Sequence, residues 1–349
     1  MAADDNQPMS TLTSPSPLPH SRSDEPAQVK ARAQGGACRL EDWGVILATG
    51  PDSASFLHGQ LTQDMLSLGD TQARLAGYCS AKGRLLATFT AWRAGPEQIA
   101  LACSADLLAP TLKRLSMFVL RAKCKLASAD AELALFGLSG TSAEAWLVGM
   151  TGAALPAASW SVLAFGPAGE SKAIRLPSAP QGGAAGSRWL LAQPTQMPPP
   201  PLPELPCAEW DWLEVRSGVA RVVAATVEQF LPQMVNLELT GGVHFQKGCY
   251  PGQEVVARSQ YRGTLKRRMF LMTADGPLQA GQEVHHSSDP DQPAGLVALA
   301  APVPDDATGQ HAALVECKSA LVATPGNLSA GTVRLQPDSL PYVLPLEPA

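Results

Sequence analysis

Apolar residues first gather at Val45-Ile46-Leu47-Ala48, a strand-like run, and the chain beyond Ala48 alternates between strand and short-helix patterns. Gly50-Pro51-Asp52 opens a short helix, with Asp52 as N-cap and Gly59 as stop. Leu75 to Cys79 and Leu85 to Trp92 read as a hairpin turned by Ala81-Lys82-Gly83-Arg84, with glycine where a positive φ is needed. Ile99 to Cys103 is another strand, and Leu108, Leu112, Leu115 and Val119 recur at helical spacing. Leu120, Ala122, Cys124 and Leu126 then alternate with Arg121, Lys123 and Lys125, which predicts a strand with its cations on one face. That face reads as a solvated surface or as a cradle for a polyanion.

Leu133 to Leu138 predicts a strand, and Thr141 with Glu144 forms a capping box for a helix through Trp146. Trp160 to Phe165, Ala173 to Leu176 and Trp189 to Ala192 are further strands, and the proline-dense Pro194 to Pro206 is a stiff connector. Trp210, Leu213 and Ser217 share one side of a helix that Gly218 terminates. From Lys266 the texture changes to short strand-like runs between turns at Asp275-Gly276, Asp289-Pro290 and Pro325-Gly326, the spacing of a small all-β barrel or sandwich. The fold class is therefore α+β. Residues 1–36 are rich in Pro, Ser and charge without aromatics, which predicts a disordered tail. The expected division is this tail, an α+β region over 37–265 in two lobes, and a C-terminal barrel over 266–349.

The 349 residues suffice for a large core. A net charge of −5 gives no global attraction to nucleic acid or anionic membrane, so such contacts need a local patch. Seven cysteines without a CxxC argue against a disulfide framework and a zinc site, and fit a reducing compartment. No run approaches the ~18 apolar residues of a membrane span, and the N-terminus lacks a signal-peptide core. A cytoplasmic location is expected.

The richest stretch is Gln246 to Arg258, with Lys247-Gly248-Cys249-Tyr250-Pro251-Gly252-Gln253-Glu254 at its centre. Pro251 suits the first turn of a helix, and Glu254 would meet the positive end of its dipole. Cys249 then lies ahead of a helix N-terminus and close to Lys247, two features that favour a thiolate. A lone cysteine is more often inert packing, yet this context singles it out from the other six. Glycine pairs at Gly182-Gly183 and Gly241-Gly242 match no phosphate loop and read as turns. His285-His286 reads as a polar loop without metal-ligand company. Arg258, Arg262, Lys266, Arg267 and Arg268, interleaved with Tyr261, form a basic run suited to RNA or to a charged helix end. Trp43 and Trp210 offer indole faces on which a flat heterocycle could stack, although tryptophan is more often core.

The cysteine stretch resembles the YgfZ family, folate-binding relatives of the glycine-cleavage T-protein involved in iron–sulfur cluster assembly and repair and in tRNA modification. The resemblance extends through Leu40-Glu41-Asp42-Trp43, Phe56 to Asp64, Ala81-Lys82-Gly83-Arg84, Glu228 to Gln233 and Leu340-Pro341-Tyr342, and so covers nearly all of the chain after the tail. It implies a T-protein-like ring of two α+β lobes plus a C-terminal β-barrel around a folate channel. It also implies that Trp43 and Trp210 contact tetrahydrofolate or another folate, and that Cys249 is the functional thiol with Lys247 beside it. The implied partners are folate, iron–sulfur client enzymes such as tRNA methylthiolases, and tRNA itself.

Two departures from T-protein stand out. The Asp-Asp pair that serves aminomethyl transfer is replaced here by Ala87-Thr88, so proton handling has no evident agent. The pterin-contacting glutamate aligns with Arg216, while Glu214 should face another side of its helix. The reading favoured is an accessory protein without aminomethyltransferase activity. Its alternatives are a tetrahydrofolate-dependent one-carbon transferase and a direct tRNA-binding factor.

Overall fold

The computed structural model describes residues 34–179, 186–261, 265–324 and 326–345. Most of the expected tail, the Gly182-Gly183 turn, Arg262 and Pro325 lie outside these residues. Strand β1 (Gly36–Arg39) begins at the expected boundary of the tail.

Two five-stranded antiparallel sheets and a closed barrel make up the described fold. The first sheet has the order β3 (Ala73–Cys79), β4 (Leu85–Gly95), β5 (Gln98–Ser104), β2 (Trp43–Thr49) and β6 (Lys125–Ser128). Helix α1 (Ser53–His58) follows β2, and α2 (Ala105–Ser116) follows β5 and carries the Leu107 and Leu115 stripe into the core. The second sheet runs β1, β7 (Leu133–Ser139), β10 (Arg188–Pro194), β9 (Ser171–Leu176) and β8 (Val162–Phe165), with α3 (Gly140–Thr151) after β7. Because β1 pairs with β7, the extreme N-terminal strand belongs to the second sheet and β2 to the first. Apolar side chains from both sheets, among them Val45, Ala102, Ile174 and Leu190, fuse into one core with Trp210.

The chain then passes through α4 (Cys207–Arg216) and α5 (Gln253–Tyr261) into the barrel. The barrel closes in the order β11 (Arg267–Ala274), β14 (His311–Lys318), β13 (Asp289–Pro302), β12 (Glu283–His286), β15 (Leu328–Ala330) and β16 (Val333–Asp338).

Several expectations are corrected. The alternation at Leu120 to Leu126 is a loop until Lys125, and Leu120 itself has φ +44° and stands exposed. Its exposure alternates as in a strand, but no partner strand lies alongside before β6. Asp52 occupies the N-cap position of α1, yet its carboxylate accepts the Lys123 N–H instead of capping. Helix α3 begins at Gly140 rather than behind Thr141, and Glu144 reaches Arg175 instead of closing a capping box. Asp289-Pro290 is the start of β13, not a turn. His285-His286 lies in β12, where His286 is buried and bonds Ser288. Finally, Cys38 and Cys207 form a disulfide across a sequence separation of 169, tying β1 to the start of α4. The cysteine count argues for unpaired thiols and misses this bond, because distant partners leave no spacing signature.

Candidate functional site: a sheet-to-sheet cavity and a cysteine loop

The first candidate is a narrow cavity between the two sheets and α4. Trp43 from β2, Leu75 from β3, Thr88 from β4, Arg188 from β10 and Glu214 from α4 contribute to its wall, as does Arg221 beyond α4. Its position at the junction of two substructures is where ligand sites concentrate. Trp43 is half-buried at the start of β2, because its neighbours Gly44 and Val45 anchor the strand in the core. Arg221 lies over the Trp43 ring, 4.8 Å from its centroid, and covers one indole face. The same guanidinium grips Glu214 through Nε at 3.0 Å and Nη2 at 3.1 Å, and Asp42 through Nη2 at 2.7 Å. Burial works against its charge, but Glu214 and Asp42 outweigh that and raise its pKa.

Arg188 is 2% exposed, and its Nε is buried without a hydrogen-bond partner among the described residues. It lies over the Trp210 ring at 4.6 Å. Burial pulls its pKa down to about 10, with Glu214 opposing. Trp210 itself is fully buried and does not belong to the cavity wall. Its ring lies flat on β7 at Gly137, where a Cβ would overlap the indole. Arg188, a wall residue, thus lies over the buried Trp210 ring. Glu214 and Arg216 do face different sides of α4, but it is Glu214 that reaches the cavity. Arg216 bonds Asp338 at the barrel instead. Thr88 stands in the wall and accepts the Val222 N–H at 3.0 Å, while Ala87 is buried away from it.

Sequence reasoning missed Trp160, Arg188 and Arg221 as wall residues. Trp160 carries φ +69°, a left-handed backbone that is uncommon for a bulky side chain. Its carbonyl accepts the Ala73 N–H, so the strained residue sews the second sheet to the first. No local pattern marks any of the three, since their roles arise only when distant strands meet.

The second candidate is the loop that bears Cys249. The motifs of the family resemblance interlock around it. Gly252, with φ +79°, presses on the β3–β4 turn so closely that a Cβ would overlap Ser80 O and meet Gly83 Cα at 2.7 Å. Only glycine fits both the angle and the approach. Lys247 Nζ donates to the carbonyls of His58 at 2.5 Å, Leu61 at 3.0 Å and Gly248 at 3.2 Å, which uses all three ammonium hydrogens. Burial draws its pKa down to about 8, against the charges of Asp64 and Cys249. His58 Nδ1 bonds Asp64 at 2.8 Å. Burial alone would raise the Asp64 pKa, but hydrogen bonds from Ser67, Leu66 and His58 hold it well below the ordinary carboxylate range. On the flanking segment, Gln233 Nε2 donates to Val256 O at 2.7 Å.

The result is a fixed platform presenting an exposed Cys249. Burial pushes the free thiols of Cys79 and Cys103 up to about 12 and that of Cys317 up to about 11. Chemistry at a thiol therefore favours Cys249. Helix α5 begins at Gln253, later than Pro251 suggests, so the thiol lies further from the helix dipole than expected; Glu254 is in the first turn as predicted. Lys247 acts first as a staple, because its hydrogens are spent on carbonyls. The structure brings Lys247, Cys249 and His58 together, and none of the three lines the Trp43 cavity.

The basic runs shrink on inspection. Arg268 is buried against Glu238, and Arg267 pairs with Glu316, which leaves Arg258 and Lys266 exposed. No metal-ligating cluster occurs among the described residues, and no described helix is long and apolar enough to cross a membrane.

No family model matches the chain. The tRNA-modifying protein YgfZ of Klebsiella pneumoniae (strain 342) is 32% identical over 256 residues, covering 70% of this chain and 74% of that protein. The tRNA-modifying protein YgfZ of Edwardsiella ictaluri (strain 93-146) is 36% identical over 244 residues, covering 67% and 70%. Among solved structures, the glycine cleavage system aminomethyltransferase T from Bartonella henselae superposes with a TM-score of 0.61 over 90% of this chain and 88% of that one, at 16% identity. The shared fold is thus that of the T-protein, and, on the sequence relationship, the chain belongs to the YgfZ family.

Proposed function

We propose that this protein binds a folate in the Trp43 cavity and acts as an accessory factor for iron–sulfur cluster assembly or repair, supporting enzymes such as tRNA methylthiolases, with Cys249 as its functional thiol. The observation that carries the reading is the pairing of a T-protein frame with a wall that holds Thr88 where a catalytic carboxylate would stand. Its one carboxylate near that position, Glu214, is tied up by Arg221. The wall residues fit a folate: the half-buried indole of Trp43 supplies an aromatic ring against which a flat heterocycle can pack. Trp43 Nε1 and Arg188 Nε are buried donors without partners. When bound, a folate supplies a carrier of one-carbon units, and this chain's residues hold and orient it.

Cys249 serves as a transient ligand for a cluster passing to or from a client, which supplies the remaining ligands, since one thiolate cannot hold a cluster alone. A cytoplasmic setting suits this chemistry, because Cys249 must stay reduced, and there the Cys38–Cys207 bond is open to reduction as well. In cells lacking the native protein, Cys249→Ala is expected to lose support of methylthiolated tRNA formation while the purified variant keeps its thermal stability. Full support by the alanine variant would overturn the role of the thiol.

A further inference from the structure

Glu214 and Arg188 divide the cavity's polarity unequally. Each carboxylate oxygen of Glu214 already accepts one bond from Arg221 and is held against its positive charge, so this carboxylate is a weakened acceptor for the N–H groups of a bound heterocycle. Donors are in surplus. Arg188 is buried, charged and without a hydrogen-bond partner at Nε, and Trp43 Nε1 is buried without one. A buried guanidinium left unpaired is costly, and the charges facing it are those of Glu214, Asp211 and Arg221. Glu214 is already neutralised by Arg221. Asp211 is itself raised to about 6, by burial first and then by Glu214 and Asp42. Arg188 Nε thus has no acceptor among the described residues, and an acceptor on a ligand would satisfy it.

We infer that Arg188, with the Trp43 indole N–H, reads the acceptor edge of the bound pterin, its 4-oxo group, rather than a carboxylate reading the 2-amino edge. This deepens the folate reading and rests on it. It makes Arg188 the residue that selects 4-oxo over 4-amino pterins. A 4-amino analogue places a donor and a more basic ring against a guanidinium that can only donate.

Calorimetry with tetrahydrofolate, folic acid and a 4-amino analogue of folic acid tests this on wild type, Arg188→Met and Trp43→Phe. The wild type should bind folic acid at least about tenfold more tightly than the 4-amino analogue. Arg188→Met should erase that preference, while the melting temperature of its ligand-free form stays level or rises. Trp43→Phe, which keeps a ring and loses the N–H, covers the case in which Arg188→Met fails to fold, and should narrow the preference. Equal binding of both ligands by wild type, or an intact preference in both variants, would overturn the role of Arg188 and leave folate binding standing. Binding of none of the three ligands by wild type would overturn both.

Discussion

Lys247 and Asp211 show how a single side chain is governed by its surroundings. Lys247 gathers three carbonyls from two segments, so it decides where the Cys249 loop sits. Lys247→Met should destabilise the protein by about 1–3 kcal/mol in urea denaturation, because the part-buried carbonyls of His58 and Leu61 lose their donor. The variant should also alter the alkylation rate of Cys249. An unchanged midpoint and rate would show that the staple is idle. Asp211 lies near the Asp42–Arg221–Glu214 group, and burial followed by the negative charges of Glu214 and Asp42 raises its pKa to about 6. The folded state then holds its proton more tightly than the unfolded chain, so stability from this group is present at low pH and is lost as pH rises from 3.8 to about 6. Asp211→Asn should therefore raise the melting temperature near pH 7 and change it little at about pH 4. A gain of the same size at both would contradict the assignment. Cys249 is legible in the sequence because its neighbours in the chain are also its neighbours in space. Arg188 is not, because what matters about it is the absence of a partner, which only the packed sheets reveal.

At the scale of elements, the periodicity of Leu75 to Trp92 identifies the β3–β4 hairpin and its glycine turn, since local pairing needs only local sequence. The Leu120 to Leu126 pattern misleads, because alternation records which residues face water and not whether another strand lies alongside. The Cys38–Cys207 disulfide is illegible for a related reason. It joins β1 to α4, the helix that carries Glu214 to the cavity, and nothing in the spacing of two cysteines that far apart selects them as partners. Closing so long a loop constrains the unfolded chain, with a typical stabilisation of about 2–4 kcal/mol. Reduction should lower the melting temperature of the wild type and leave Cys38→Ser unaffected. A wild type insensitive to reductant would contradict the bond's contribution.

Across the whole molecule, the barrel is fastened to the lobes by polar contacts at positions that the sequence presents as a surface charge run. Arg268 on β11 bonds Gln233 O and ion-pairs with buried Glu238, while Asn236 donates to Met269 O. Arg268→Met should cost about 3–5 kcal/mol by stranding Glu238, and Glu238→Leu in the same chain should recover much of it. If the single variant were as stable as wild type, the pair would be a surface feature after all. The basic character needed for a direct tRNA contact then falls to Arg258, Lys266 and the Arg121–Lys125 loop, a weaker patch than the sequence suggests. The T-protein frame is kept, and the proposed role makes ligand binding the property on which everything else depends. Titration calorimetry of tetrahydrofolate into wild type and Trp43→Ala tests this most directly. Binding by wild type, weakened at least about tenfold in Trp43→Ala, is the result expected; no heat of binding with wild type, or equal affinity in both, would contradict it.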